Sequence, residues 1–174
     1  IRDIRPGDGQ ALYEAKIESF DELKPWMPWA QVEKENISPQ DDEALCRQKH
    51  AEFIKREDMM MLVFEKETNQ FVAATGLHVD DWTIPAFNVG YWVRSSKTGN
   101  GYATELTKAL CQYAFDVLKA KRLSISHAGG NTGSQHVIDK VGFKPEGVAK
   151  KSLQVGENLY DTHHYAMFET EDLN

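Results

Sequence analysis

The stretch that decides the fold is VGYWVRSSKTGNGYATELTKALCQYAFDVL, residues Val89–Leu118. Apolar and polar side chains alternate as the chain enters it from Phe87, which predicts a strand. The run 95–101 contains two glycines and no apolar residue, and it predicts a turn. From Gly101 onward apolar residues recur at helical spacing, so a helix follows. Its predicted buried face consists of Ala103, Leu106, Leu110, Tyr113, Ala114, Val117 and Leu118.

A glycine turn between a strand and a helix can bind an anion. The first N–H groups of a helix have no intrahelical acceptor, and the helix dipole favours negative charge at that end. Gly99 and Gly101 lack the Cβ that would hold a phosphate away from those amides. On spacing alone, an ordinary turn explains the two glycines equally well. The turn is not a P-loop, because no Lys follows Gly101, and not a dinucleotide fingerprint, because Thr104 stands where the third glycine belongs.

A family resemblance favours the anion-binding interpretation. Residues 98–103, Thr-Gly-Asn-Gly-Tyr-Ala, resemble the acetyl-CoA-binding motif Q/R-x-x-G-x-G/A of the GNAT superfamily of N-acetyltransferases. The flanking Gly-Tyr-Trp at 90–92 and Thr-Glu-Leu at 104–106 resemble the branch of ribosomal-protein N-terminal acetyltransferases, the RimJ/RimL group. Thr98 departs from the motif, which has Gln or Arg there and uses that side chain to help hold the pyrophosphate.

The resemblance implies a fold and a set of cofactor-binding residues. The fold is the GNAT-like α/β (α+β) acyl-CoA N-acyltransferase fold: a mixed, mostly antiparallel, twisted sheet with helices on both faces. The sheet would be splayed between the central strand and the strand after its helix, with acetyl-CoA and the acceptor entering from opposite sides. A bulge in the central strand would make the N–H near Val93 a donor to the thioester carbonyl. The implied cofactor-binding residues are Trp92, Val93, Arg94, Thr98, Gly99, Asn100, Gly101, Tyr102, Ala103, Thr104, Asn131 and Ser134.

The composition is typical of a soluble globular protein. The chain has 174 residues, 41% hydrophobic and 27% charged, which suits one domain over residues 1–174. No apolar run is long enough to cross a bilayer and no signal peptide is visible, so we expect a cytoplasmic protein. Cys46 and Cys111 fall in helical patterns and are expected to be free thiols. No Cys/His set has metal-ligand spacing.

The charge balance bears on the partner. The formal net charge of −7 argues against a nucleic-acid-binding surface, which needs clustered Lys and Arg. It favours a cationic acceptor such as an amine. A homodimer is compatible with the sequence by resemblance only.

The other segments predict helices and strands around the central stretch. Ser38 and Pro39 begin a helix that runs to about Arg56. Its predicted inward residues are Leu45, Cys46, Phe53 and Ile54. The remaining predicted elements are strands at 1–5, 59–65, 71–79 and 123–126, helices at 10–20 and 131–141, and a final hairpin of strands 144–154 and 158–168.

The segment 21–29 carries Trp26 and Trp29, each beside a proline. Trp is costly to expose and Pro stiffens the backbone next to it. The segment is therefore either a hydrophobic plug on the core or one wall of an acceptor pocket. We favour the pocket, because in the resembling branch this loop lies beside the acceptor.

The resemblance also assigns the proton donor. The pattern Asn131-x-x-Ser134, with residues 139–143 after it, resembles the branch's N-x-x-S and E-K-x-G-F motifs. By that resemblance Asn131 binds the pantetheine arm and Ser134 gives a proton to the leaving sulfur. From the residues alone, a helix N-cap is the preferred explanation of Asn131. Many superfamily members use a Tyr just before the second motif, where this chain has Ile138, which favours Ser134.

The sequence does not fix the general base. Related enzymes carry a carboxylate at two places that are held here by Asn88 and Gln154, and neither amide can accept a proton. The remaining candidates are His78, Asp80, Glu157, Asp161 and a bound water. Because the pair at 160–161 resembles one that faces the acceptor, Asp161 is our choice to orient the amine. The predicted acceptor-binding residues are Trp26, Trp29, Asn88, Tyr160 and Asp161.

The resulting hypothesis is direct transfer of an acetyl group from acetyl-CoA to a primary amine, with no covalent enzyme intermediate. An α-amine has an ordinary pKa of about 7.7–8.0 and a Lys side chain about 10.4, so a site without a strong base favours α-amines. The acceptor is either a protein N-terminus or a small aminoacyl compound or antibiotic. A non-catalytic CoA-binding module is the alternative, because Thr98, Asn88 and Gln154 each depart from the pattern. An RNA-contacting ribosome factor is disfavoured by the acidic charge.

Overall fold

A computed structural model describes residues 1–174 and shows an α/β arrangement. The α-helices are α1 (Gly9–Leu23), α2 (Pro39–Lys55), α3 (Tyr102–Asp116) and α4 (Thr132–Val141). The strands are β1 (Arg2–Asp3), β2 (Asp58–Phe64), β3 (Phe71–Asp81), β4 (Ala86–Val93), β5 (Arg122–Ala128), β6 (Lys144–Val155) and β7 (Asn158–Met167). Short 3-10 turns lie at Pro28–Gln31, Lys34–Asn36, Ser95–Lys97 and Thr170–Asp172.

The seven strands form one sheet in the order β1-β2-β3-β4-β5-β7-β6. Every neighbouring pair is antiparallel except β4 and β5, which are parallel. These two strands share three residue pairs, from Ala86/Arg122 to Asn88/Ser124, and then stop pairing. Both strands continue for several residues beyond that point, so the sheet opens there. The predicted fold and the predicted split are confirmed.

Two hydrophobic cores cover the two faces of the sheet. The larger core joins the sheet to α3 and α4 through buried residues such as Leu106, Leu110 and Ile138. The smaller core joins the other face to α1 and α2 through Leu12 and Cys46. Both cysteines are buried and free, as the sequence predicted. No helix combines the length and apolar character that a membrane crossing requires.

The residues predicted to begin and end helices do so in the structure. Ser38 caps α2, and its Oγ accepts a hydrogen bond from the N–H of Asp41 at 3.1 Å. Asn131 caps α4 in the same way through the N–H of Ser134. Gly142 ends α4 with φ +110°, a conformation that costs a residue with a Cβ about 1–2 kcal/mol.

Some predicted details are wrong. Tyr113 and Val117 are 37% and 60% exposed, because the buried stripe of α3 follows i, i+4 steps through Leu106, Leu110 and Ala114 and these two lie one residue to its side. Ile54 of α2 is 68% exposed, because its neighbour Phe53 takes the inward side of the helix and Ile54 lies about 100° further round. The expected bulge near Val93 is absent, since β4 pairs with β3 residue for residue from Phe87 to Val93, and the one register shift between them lies at the other end, between Val79 and Asp81.

Gly9 allows α1 to dock on α2, and we expect Gly9→Ala to destabilise the fold. An added Cβ would lie 2.5 Å from the Cα and backbone N of Glu43, which cannot move without shifting α2. Overpacking of this kind costs about 1–3 kcal/mol, measurable as a lower free energy of unfolding in urea. Gln10→Ala on the exposed side of the same helix is the control and should change stability by less than about 0.5 kcal/mol. Equal stabilities of the two variants would contradict the role of this contact.

Candidate active site

The loop before α3 presents a row of free backbone N–H groups. From Gly99 to Thr104, none of the six amides donates a hydrogen bond to an acceptor within the chain. The amides on either side do, since Thr98 donates to the carbonyl of Ser95 and Glu105 donates to that of Gly101. Because the helix dipole also points its positive end here, the loop can bind a doubly charged anion.

The two glycines of this loop keep the amides open. Gly99 and Gly101 have φ of +78° and +83°, and a Cβ built on either would have no atom within 4 Å. The space in front of the amides is therefore empty of protein. Asn100 does not fill it, because its Nδ2 donates back to the carbonyls of Lys97 and Thr98. The loop fits a diphosphate such as that of acetyl-CoA, through its backbone and not through the Thr98 side chain, which bonds to Ser95 at 2.9 Å.

Glu65, on the turn after β2, fastens both ends of the loop. Its Oε1 accepts from Lys97 Nζ at 2.9 Å before the glycines and from Tyr102 Oη at 2.7 Å after them. Hydrogen bonds from Thr68, Tyr102 and Lys97 lower the pKa of Glu65 to about 2. The carboxylate therefore stays charged over the physiological pH range, and the loop keeps its shape without a ligand.

Glu18 and Ser19 of α1 hold the strand end that leads into the loop. Glu18 accepts from Arg94 Nε at 2.8 Å and from the N–H of Ser96 at 3.0 Å, and Ser19 Oγ accepts from the N–H of Ser95 at 2.9 Å. Arg94 was predicted to bind the cofactor, but its guanidinium is already neutralised by Glu18. The Arg94 side chain therefore stabilises the shape of the loop.

The opening between β4 and β5 lies beside this loop. The N–H of Arg94 donates to the carbonyl of Val72 in β3. Because successive strand residues direct their backbone groups to opposite sides, the N–H of Val93 points away from β3 and towards the opening. Loss of pairing with β5 thus replaces the expected bulge as the source of a free donor near Val93. Trp92, also predicted to bind the cofactor, has its side chain in the smaller core and pairs with Ala74 of β3.

Tyr91 and Ser134 meet across the opening. The Tyr91 hydroxyl of β4 lies 3.3 Å from Ser134 Oγ at the start of α4. Burial raises the pKa of Tyr91, and its hydrogen bond with Ser134 opposes part of that rise. The phenol therefore remains protonated at neutral pH and can donate a proton to Ser134. Tyr91 was not among the predicted site residues, although strand alternation from Val89 already places it on the α3 face of β4.

Asn131 serves the fold and leaves one group for a ligand. Its Oδ1 accepts from the N–H of Ser134 at 3.0 Å, so the N-cap interpretation is confirmed. Its Nδ2 has no partner within the chain. The cap also fixes the first turn of α4, and with it the direction of the Ser134 side chain.

The residues predicted to bind the acceptor lie at two different depths. Trp26 packs against Tyr160 of β7, with ring centroids 5.9 Å apart, and so joins the loop after α1 to the last hairpin. Beside this contact is a groove of about 380 Å³ lined by Asp21, Lys24, Pro25, Gln31 and residues 155–158. Trp29 lies deeper, 5.7 Å from Trp92 in the smaller core. The position of Trp29 thus fits a hydrophobic plug on the core, and the position of Trp26 is compatible with one wall of an acceptor pocket.

Asn88 and Asp161 are both committed to other partners. Asn88 Nδ2 donates to Ser124 Oγ at 3.1 Å and ties the last rung before the strands separate. Asp161 accepts from Lys150 Nζ and from the N–H of Lys151, each at 2.9 Å, and these bonds lower the pKa of Asp161. Tyr160 and Asp161 are adjacent in a strand and face opposite sides of the sheet, so the structure does not place them as a pair.

Comparison with known proteins places these features in context. A family model for the "Acetyltransferase (GNAT) domain" matches residues 1–144. A protein of Bacillus subtilis (strain 168) named "Putative ribosomal N-acetyltransferase YdaF" is 27% identical, over 98% of this chain and 91% of its own.

Two solved structures share the fold. Mycobacterium smegmatis RimJ, in complex with CoA-disulfide, is 26% identical with a TM-score of 0.87, over 98% of this chain and 81% of that one. The ribosomal-protein-S5-alanine acetyltransferase from Vibrio fischeri has a TM-score of 0.88 at 19% identity, over 99% and 93% of the two chains. The second likeness bears on the fold alone.

The Glu18–Arg94 contact gives the fold a defined dependence on pH. The hydrogen bond from Arg94 is the main reason that the pKa of Glu18 falls from 4.5 to about 2, with Ser96 adding to it. A carboxylate whose pKa is lowered by folding stabilises the protein above its unfolded pKa, and this contribution is lost as pH falls towards the folded value. We therefore expect wild type to be more stable than Glu18→Gln at pH 6, with the difference shrinking from about pH 4.5 downwards.

Urea unfolding of both proteins between pH 3 and 7 measures this difference. Glu22→Gln, exposed on the same helix and without an ion pair, is the matched control and should track wild type at every pH. A Glu18→Gln deficit that does not change with pH would show that the charge of Glu18 is not what holds the loop.

Proposed function

The chain belongs to the GNAT acetyltransferase family, and we propose that it transfers the acetyl group of acetyl-CoA to the α-amine of a peptide or protein N-terminus. The observation that carries this proposal is the row of six free amides, Gly99–Thr104, beside an opening between two parallel strands. Acetyl-CoA supplies the acetyl group as a thioester, which an amine can attack directly. The residues of the chain bind it, orient it and move protons.

In the proposed binding mode, separate groups of the protein bind the diphosphate, the pantetheine arm and the thioester carbonyl of the cofactor. The amides before α3 hold the diphosphate, and the Nδ2 of Asn131 donates to the pantetheine arm. The N–H of Val93 lies on the opening side of β4 and serves the thioester carbonyl, which a backbone donor polarises. Thr98 does not replace the Gln or Arg side chain of the family motif, since its N–H and its hydroxyl both donate to the carbonyl of Ser95.

Ser134 and Tyr91 form the proton-donating side. Ser134 Oγ holds the proton that the leaving sulfur takes up. The Tyr91 hydroxyl, 3.3 Å away, returns a proton to Ser134. This arrangement supplies an acid although Ile138 occupies the place of the usual Tyr.

Direct attack fits the thiols of this chain. Burial raises the pKa of Cys46 and that of Cys111 to about 12. Neither is a thiolate at neutral pH, so neither can carry the acetyl group as a nucleophile. The amine is the attacking group.

An α-amine is the acceptor that the site favours on energetic grounds. A Lys side chain has an ordinary pKa about 2.5 units above that of an α-amine, and removing its proton at neutral pH costs about 3.5 kcal/mol more. The central strand carries Asn88 where a carboxylate base would stand, so no carboxylate on that strand offsets the cost.

A peptide N-terminus is the acceptor that the groove favours. The groove beside Trp26, at the β6–β7 turn, is open to solvent, and the carboxylate of Glu157 in its lining can attract a cationic amine. Its other carboxylate, Asp21, is paired with Lys34 at 3.4 Å. The Bacillus subtilis relative supports this choice, since it is named a ribosomal N-acetyltransferase. A small aminoacyl compound remains the second acceptor class, because the Trp26–Tyr160 contact offers an aromatic surface. We further propose that residues 1–174 act as one domain, in the cytoplasm where ribosomal proteins are made.

Acetyl transfer to a panel of amines tests the proposal. We expect thiol release from acetyl-CoA with peptides that have a free N-terminus. With Nα-blocked peptides whose one amine is a Lys side chain, kcat/KM should be about 2.5 orders of magnitude lower, in line with the 3.5 kcal/mol above. Small aminoacyl amides of the same first residue separate the two acceptor classes. CoA binding without turnover of any amine would replace this proposal by the CoA-binding module.

Gly101→Ala tests the amide cradle. We expect at least a tenfold weaker Kd for CoA, measured by calorimetry, because the Cβ would stand in the space that the amides face. Gly7→Ala is the matched control: its φ is +97° and its Cβ would also meet no atom within 4 Å, so it carries the same backbone strain far from the cradle. If both variants bind CoA equally, the cradle is not the binding site.

A further inference from the structure

A histidine and an aspartate form a dyad on the sheet face that α1 and α2 partly cover. The Nδ1 of His78 in β3 lies 2.7 Å from Oδ1 of Asp58 in β2. The other carboxylate oxygen of Asp58 accepts from Lys49 Nζ, also at 2.7 Å. Burial would raise the pKa of Asp58, but its hydrogen bonds with His78 and Lys49 outweigh this and lower it to about 2. Asp58 is therefore a fixed anion.

The second ring nitrogen of His78 is free and directed at the central strand. Its Nε2 forms no hydrogen bond within the chain, and the side chain is 51% exposed. A Cβ built on Gly90 of β4 would be 3.0 Å from this Nε2. Since the two nitrogens lie on opposite sides of the ring, anchoring Nδ1 to β2 turns Nε2 towards β4. The absence of a side chain at Gly90 leaves room for it.

Nε2 consequently lies at the mouth of the opening. His78 pairs in register with Asn88, the last residue of β4 that also pairs with β5. Gly90 is two residues further, where β5 has already left. Tyr91 follows Gly90 and faces the opposite side of the sheet, towards Ser134. The imidazole and the Tyr91–Ser134 pair thus flank the same opening from its two faces.

Other groups near this point do not compete for the role. Asn88 is bonded to Ser124 and cannot accept a proton. Asp161 is held by Lys150 and by the backbone of Lys151. Asp80, further along β3, lies 3.4 Å from Ser124 Oγ. The charged groups that face the imidazole are Asp58 from β2, Lys49 behind it from α2, and Asp80 from its own strand.

We propose that His78 is the general base of the acetyl transfer. Asp58 is the positioning residue that keeps the proton of the neutral His78 imidazole on Nδ1. This inference rests on the proposed function. As the C–N bond forms, neutral Nε2 takes the proton that the attacking nitrogen loses; as the C–S bond breaks, the sulfur takes a proton from Ser134 Oγ. His78 then releases its proton to solvent through its exposed edge. Tyr91 gives a proton back to Ser134 and takes one in turn from solvent, since its side chain is only partly buried.

Four variants in the full chain test the base. His78→Gln should lower kcat by 10²–10³, the usual share of a general base, with Kd for CoA within twofold of wild type. The acidic limb of its pH–rate profile should change as well. Asp58→Asn, which keeps the imidazole but frees its tautomer, should lower kcat by at least tenfold. Gly90→Ala should lower kcat by displacing the ring. His164→Gln, an exposed histidine of β7, is the control and should match wild type.

Chemical rescue and NMR give readouts that a structural role would not produce. Added imidazole should restore part of the activity of His78→Ala and should leave the activity of the His164→Gln control unchanged. In the protein without acetyl-CoA, nitrogen NMR at pH 8 should show the proton of His78 on Nδ1, and a mixture of tautomers in Asp58→Asn. A proton on Nε2 in wild type would overturn the proposal whether or not an acceptor is known.

Failure of the His78 proposal can be distinguished experimentally from failure of the proposed function. If wild type transfers acetyl groups and His78→Gln keeps its kcat within threefold, the base is not His78 and the proposed function stands. If wild type binds CoA but acetylates no amine, both proposals fall together.

Discussion

The separation of β4 from β5 after the Asn88/Ser124 rung is the constraint on which the site depends. An unpaired strand edge inside a sheet leaves backbone donors without acceptors, which is costly unless water or a ligand satisfies them. Here the unsatisfied donor is the N–H of Val93, from which a thioester carbonyl could accept a hydrogen bond. The amide row before α3 follows within the same chain segment, so in the proposed binding mode the diphosphate and the thioester of the cofactor would both contact main chain. Side chains mainly keep that main chain in position.

That positioning is done by carboxylates from distant parts of the sequence. Glu65 fastens the loop at Lys97 and Tyr102, and Glu18 fastens the end of β4 at Arg94 and Ser96. Both carboxylates have their pKa lowered to about 2, so they stay charged at any pH at which the enzyme works. A loop held in this way loses little conformational entropy when the anion arrives, and preorganisation of this kind raises affinity without new contacts.

Local features were predictable and long-range ones were not. The caps at Ser38 and Asn131 and the stop at Gly142 depend on neighbouring residues, and each was read correctly. The opening was predicted by resemblance, but its form was not: the free N–H arises from lost pairing with β5, with no bulge against β3. The hydrogen bond from Ser96 to Glu18 spans 78 residues and leaves no local pattern. Asp161 was chosen because of its neighbour Tyr160, although adjacent strand residues face opposite sides, and its two bonds to Lys150 and Lys151 depend on a bulged hairpin.

The two sides of the proposed chemistry rest on parts of the sheet with different rigidity. His78 and Asp58 stand on β3 and β2, which are paired with their neighbours along almost their full length, so the base keeps its position however wide the opening becomes. Tyr91 and Ser134 instead reach each other across the opening, and their 3.3 Å contact would lengthen if β4 and β5 moved apart. A change in the width of the opening would therefore affect proton delivery to the sulfur before it affected proton removal from the amine. In the proposed mechanism the cofactor would occupy that opening, so its binding would act on the spacing of the Tyr91–Ser134 pair and would leave the position of the base unchanged.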